Sequence, residues 1–207
     1  MKAKFFLSIL ILFLLTACGT GAEGNNASDS SNSNESSHSK YKGDFEFKVQ
    51  NFTYTNQNGE EFSKEKLDGK FWVANMVFTN CTTVCPAMTS NMARLQQQLN
   101  EADIDAELVS FSVDPVNDTP EMLKQYAEDR GATFENWNLL TGYSDEDIKQ
   151  FASESFKAFV ENPDNSDQVV HQTSFYLVTP DGYAVNKYNG SKAANMEQIV
   201  EDIKAMN

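Results

Sequence analysis

Phe45, Phe47 and Val49 alternate with polar residues, Phe52 and Tyr54 continue, and Asn58-Gly59 turns the chain back into Phe62. That alternation, broken by a tight turn, predicts an opening β-hairpin. The pattern then changes. From Lys70 to Thr79 apolar residues fall on both faces (Phe71, Trp72, Val73, Met76, Val77, Phe78), as in a central strand buried on both sides. The strand runs directly into Cys81-Thr-Thr-Val-Cys85-Pro86. Pro86 suits the first turn of a helix, and Met88, Met92, Leu95 and Leu99 recur at helical spacing up to Asn100. Two cysteines are thereby set in a strand-to-helix turn.

Further along, the pattern predicts a strand over Glu107 to Val113, a loop from Asp114, and a helix from Pro120 to Arg130 that Gly131 ends. A short strand over Trp137 to Leu140 and a helix from Ser144 to Phe156 follow, and residues 157 to 168 read as an exposed loop. The chain closes with one strand from His171 to Val178, a Pro180-Asp181-Gly182 turn, a return strand from Tyr183 to Tyr188, and an amphipathic helix from Ala194 to Met206. This order predicts an α/β thioredoxin-like fold over residues 42–207: a central mixed sheet flanked by helices, with an added N-terminal hairpin. In such sheets, sites gather beyond the carboxyl ends of the parallel strands. Cys81 and Asp114 would stand there, and an antiparallel strand starting at His171 would bring its imidazole to the same edge.

Ahead of the domain the pattern is different again. Lys2 and Lys4 precede an apolar run, Phe5 to Leu15, too short to span a bilayer as a stable helix. It has the layout of a secretory signal, and Leu15-Thr16-Ala17-Cys18 resembles the lipobox of bacterial lipoproteins. Residues 1–17 are therefore expected to be a signal peptide and Cys18 the lipidated residue. Through about residue 41 the composition collapses to Ser, Asn, Gly and a few acids, a flexible tether with a reach of about 25 Å. His38 lies in it and reads as a solvated side chain. The expected location is the outer face of the bacterial cytoplasmic membrane.

The 207-residue chain is 40% hydrophobic, enough for one ordinary domain. Its formal net charge of −14 argues against any partner held through phosphates, so nucleic acid is set aside. Of three cysteines, Cys18 belongs to the leader, and Cys81 and Cys85 are the only thiols of an exported domain in a compartment where they can oxidise.

Four-residue spacing entering a helical turn puts the two thiols on one face, with β-carbons about 5 to 6 Å apart. A helix start also favours the thiolate. A structural zinc site normally wants four closed ligands, whereas this domain offers two Cys and one His. Soft thiolates suit Cu(I), and an added imidazole makes a set able to hold Cu(II) as well. A structural disulfide beside an ordinary His171 is the plain alternative, since Cys-x-x-x-Cys alone is only moderately specific.

Three blocks in order narrow the choice. Cys81-Thr-Thr-Val-Cys85-Pro86, Ser112-Val-Asp114-Pro-Val-Asn-Asp118-Thr-Pro120 and His171-Gln-Thr-Ser-Phe-Tyr-Leu-Val-Thr-Pro-Asp-Gly182 together resemble the Sco (SenC) family, named for synthesis of cytochrome c oxidase. The resemblance covers the chain from about residue 45 onward. It implies a membrane-tethered, thioredoxin-like domain that binds copper through two cysteines and a histidine, here Cys81, Cys85 and His171. It further implies work on the dinuclear copper centre of the oxidase, by giving copper, by reducing the target's cysteines, or both, with the copper-centre subunit as partner. Many members carry Pro-Asp after the first cysteine where this chain has Thr82-Thr83. Loss of an acidic neighbour lowers thiol pKa values and shifts redox poise while leaving every ligand in place.

Two other chemistries share these residues. An extracytoplasmic thiol-disulfide oxidoreductase would use one cysteine to attack and the other to resolve. A peroxidase is suggested by Thr82-x-x-Cys85, but that pattern wants a proline where Phe78 stands. Asp114 and Asp118 could orient His171 or a nearby water; the alternative is that they set the loop while Thr119-Pro120 starts a helix. Met88 and Met92, at helical spacing with Leu95 and Leu99, read as core.

Overall fold

The computed structural model describes residues 38–163 and 168–207. The signal peptide, Cys18 and most of the tether lie outside the described residues. From Ser39 the chain is already tied to the domain: the Lys40 N–H donates to Asp181 (2.8 Å) and the Asp44 N–H to the Asn186 side chain (3.0 Å). His38 stands beside Glu46 at 3.0 Å, on the surface.

Among the described residues the strands are β1 (Phe47–Lys48), β2 (Thr53–Asn56), β3 (Glu61–Ser63), β4 (Phe71–Val77), β5 (Ala106–Ser112), β6 (Trp137–Thr141), β7 (Val160–Glu161), β8 (Val170–His171), β9 (Ser174–Val178) and β10 (Tyr183–Asn189). The α-helices of the same residues are α1 (Cys85–Glu101), α2 (Pro120–Glu128), α3 (Asp145–Phe156) and α4 (Ala194–Met206). Eight strands form one sheet in the order β1-β10-β9-β4-β5-β6-β2-β3, with β4, β5 and β6 parallel and β9 antiparallel to β4. This is the thioredoxin-like arrangement expected from the order of elements.

Period-two alternation divides the core between the faces of the sheet. In β4, Trp72, Ala74 and Met76 join one cluster with Phe52, Phe151 and Phe156, under α3; Phe71, Val73 and Val77 join the other with residues of α1, α2 and α4. All seven residues of β4 are buried. The polar one, Asn75, accepts from Ser110 (2.6 Å), whose hydroxyl in turn accepts from the Trp137 indole (3.0 Å), so the strand carries no unpaired side-chain amide oxygen into the core.

Two expectations are corrected. The opening hairpin is confined to β2 and β3, with Gly59 at φ 76° in its turn. β1 instead pairs with β10 at the far edge of the sheet. Alternation encodes a buried face but not which strand lies alongside. The single strand expected from His171 to Val178 is broken at Gln172-Thr173, and β8, which carries His171, forms a separate two-stranded ladder with β7 inside the expected 157–168 loop. The reason lies in β4. It leaves the sheet after Val77 to become the cysteine turn, so the chain before Ser174 has no β4 backbone to pair with and pairs with Val160–Glu161 instead.

Candidate metal and thiol site

β4 delivers the chain to Phe78, whose carbonyl accepts from the Cys81 N–H at 3.4 Å. Thr79, two residues before Cys81, is held by Asp118: one carboxylate oxygen accepts from both the Thr79 N–H (3.1 Å) and its hydroxyl (2.6 Å). The other oxygen accepts from Ser112 at 2.6 Å, at the end of β5. Cys85 opens α1, and Pro86 occupies a first-turn position where no helical donor is missed.

The two thiols are free and differ in setting: Cys81 is 6% exposed and Cys85 1%. The Cys85 N–H points at the Cys81 sulfur (3.4 Å), and the Thr83 hydroxyl lies 3.7 Å from it. Burial pushes the Cys81 thiol up, but hydrogen bonds from the Cys85 thiol and N–H and from Thr83 outweigh it and hold the pKa below the ordinary thiol value. Cys85 moves the other way. Burial first, then its hydrogen bond to Cys81 and the charge there, push it far above the ordinary value.

His171 completes the contact from the β7–β8 ladder. Its Nε2 lies 3.4 Å from Cys85 Sγ, and its ring meets the Phe78 ring edge to face, centroids 5.7 Å apart. Nδ1 lies 3.0 Å from the Gln172 carbonyl. A carbonyl can only accept, so the proton is assigned to Nδ1 and Nε2 presents its lone pair to the Cys85 S–H. Burial lowers the imidazole pKa, against the opposing pull of that carbonyl, and favours the neutral form that ligation requires. Cys85 therefore touches both of the others. Among the described residues no group of three or more His, Cys, Asp or Glu is already closed around a metal position; the trio is a chain of contacts. Two soft sulfurs and one neutral imidazole suit a thiophilic ion such as copper better than a four-ligand zinc cage.

The remaining sequence candidates have defined places. Asp114 accepts from Asn117 (2.8 Å), and its carbonyl takes the N–H groups of Asn117 and Asp118 (3.0 and 2.9 Å). Thr119 caps α2 through the Met122 N–H (3.3 Å). Neither aspartate is hydrogen-bonded to His171: Asp114 shapes the loop, and Asp118 ties that loop to the cysteine turn. Met88 and Met92 are buried with Leu95 and Leu99 in the core cluster that does not include the cysteines. Sequence reasoning passed over Gln168, whose side-chain amide donates to the Asn80 carbonyl beside Cys81 (3.1 Å), and Val160, the strand partner of His171. Both belong to a polar stretch without periodicity, and only the short ladder gives them a role.

Comparison with known proteins identifies the family and the fold. A family model described as SCO1/SenC matches residues 41–207. The SCO1 protein homolog of Bacillus subtilis is 43% identical over 159 residues, 77% of this chain and 82% of that protein. The solved structure of BsSco, a member of the Sco family of cytochrome c oxidase assembly proteins in which a disulfide switch was identified, is 45% identical. It covers 81% of this chain, is itself covered over 98% and superposes with a TM-score of 0.73. Yeast Sco1 with copper bound is 25% identical, with a TM-score of 0.63 over 77% of this chain and 90% of that one.

Proposed function

Because this chain belongs to the SCO1/SenC family, we propose that it is a copper-binding assembly factor for the dinuclear copper centre of cytochrome c oxidase, holding the metal through Cys81, Cys85 and His171. The observation that carries the reading is the contact of Cys85 Sγ with His171 Nε2 at 3.4 Å, in a turn where the Cys85 N–H already points at the Cys81 sulfur. Copper is the cargo here. The thiols bind it as thiolates, losing their protons on loading, and His171 offers Nε2 with its tautomer set by Gln172. The copper-bound yeast relative and the assembly role stated for BsSco support the same reading. The protein would work from a lipid anchor at Cys18, on the outer face of the cytoplasmic membrane; among the described residues no helix is long and apolar enough to cross a membrane.

Anaerobic copper titration of the reduced protein tests this directly. Wild type should take up one copper per chain, with thiolate charge-transfer bands in the Cu(II) form, and His171→Ala should bind at least tenfold more weakly. Unchanged binding in that variant removes the third ligand.

A second reading is favoured by the contrast between the thiols. Cys81, more exposed and with the lowered pKa, suits attack; Cys85, buried and protonated, suits resolution. The Cys81 thiolate would attack a target disulfide and form a mixed disulfide. Cys85 would then displace the target sulfur, leaving the target as a dithiol, two electrons richer, and Cys81–Cys85 oxidised. A reduction potential near that of the target, with measurable reductase turnover, would support this role; negligible turnover would exclude it.

A further inference from the structure

The large hydrophobic side chains left exposed among the described residues are Val84, Val116, Met122, Phe159 and Val170, between 38% and 77% exposed. Scattered singly, such residues need no explanation; gathered at one place, they mark an interaction surface. These five are gathered. Val84 lies between the cysteines, and Val116 lies on the loop that Asp118 ties to Thr79. Met122 lines a cavity of about 560 Å³ shared with Thr79, Asn80 and Val169. Phe159 precedes Val160, the partner of His171, and Val170 pairs with Glu161 on the same ladder. Each sits on a segment bordering the thiol and imidazole site, while the other large hydrophobic side chains among the described residues are at least partly covered.

The charge of these segments limits what can cover them. Residues 79–86, 114–122, 159–163 and 168–172 contain the exposed carboxylates of Glu121 and Glu161, besides the buried Asp114 and Asp118, and neither Lys nor Arg. A second copy would set like charge against like, and an anionic lipid surface would be repelled in the same way. The complementary surface is apolar at its centre and basic at its border.

We propose that Val116, Met122, Phe159 and Val170 form a docking rim for a protein that presents an apolar patch bordered by Lys or Arg. This rests on the assembly role proposed above, in which the partner is the copper-centre domain of the oxidase. The rim brings that partner's acceptor site over Cys81 and excludes water while the two sites are in contact.

The test is a binding titration of the reduced, full-length protein in detergent against the soluble copper-centre domain of the oxidase. Val116→Ser combined with Phe159→Ser should weaken association at least tenfold, with copper stoichiometry and affinity unchanged. Glu121→Lys combined with Glu161→Lys should also weaken it, by a factor that shrinks as salt rises. If wild type binds and both double variants bind equally well, the rim is overturned and the assembly role stands. If wild type binds copper but not this domain, the assembly role falls, and the named partner with it. Self-association or vesicle binding that is lost in the serine variant assigns the rim to a second copy or to lipid and overturns the protein partner.

Discussion

One oxygen of Asp118 receives both the backbone N–H and the hydroxyl of Thr79, at 3.1 and 2.6 Å, across 39 residues of sequence. The carboxylate fastens the loop after β5 to the turn that carries Cys81. With Ser112 on its second oxygen, its removal leaves three donors unpaired in a buried place. Asp118→Ala is expected to cost about 2 to 3 kcal/mol of stability and to loosen the cysteine turn. Urea unfolding reads the first effect and copper affinity the second; Asp118→Asn, which keeps an acceptor, should recover part of both.

The same residue makes a pH prediction. Burial raises the Asp118 pKa above the ordinary aspartate value, against the hydrogen bonds from Ser112 and Thr79. A carboxyl whose pKa is raised by folding contributes stability below its unfolded value and loses that contribution as pH rises through the folded value. From about pH 4 upward, wild type should therefore lose stability relative to Asp118→Asn and level off once Asp118 is ionised. A difference that is flat with pH, measured by denaturant unfolding at each pH, contradicts this.

The two thiols should react at different rates. Cys81 has the lowered pKa and the greater exposure, while Cys85 is protonated and enclosed. Under brief iodoacetamide treatment of the native, reduced, metal-free protein, Cys81 should be alkylated at least tenfold faster, and Cys85 only after denaturation. Peptide mass spectrometry gives both rates; equal labelling would show that the turn does not distinguish the thiols.

Gln168 reaches the Asn80 carbonyl from the segment that leads into the strand carrying His171. Its contact is exposed, so Gln168→Ala is expected to change stability by no more than about 0.5 kcal/mol. Loss of copper to a chelator should nevertheless become several-fold faster, because the segment holding His171 has lost a tie to the cysteine turn. Unfolding and chelator kinetics together separate this from a merely structural effect.

Gly190 gives a packing prediction at the same edge. A Cβ there would run into the Phe175 ring and must displace it, while the Gly190 carbonyl holds Asn91 of α1 at 2.8 Å. Gly190→Ala should destabilise the fold by about 1 to 3 kcal/mol. Thermal unfolding checks it.

Much of this protein is legible along the chain because much of it is local. The seven buried residues of β4, the α1 face of Met88, Met92, Leu95 and Leu99, the Asn58-Gly59 turn and the Thr119-Pro120 helix start each follow from spacing and backbone preference within a few residues. The order of those elements was enough for the thioredoxin-like fold, and three short blocks were enough for the family. What tertiary structure alone decided is the company each residue keeps. β1 crosses to the far edge of the sheet beside β10, and His171 leaves the strand expected for it to pair with Val160. Asp118 turns to Thr79, and the two thiols take opposite pKa shifts although they stand four residues apart in one motif. Those outcomes depend on which backbone edge is left open when β4 departs from the sheet, and on how deeply each sulfur is desolvated. Both are set by contacts between segments far apart in sequence, which no local pattern of hydrophobic and polar residues encodes.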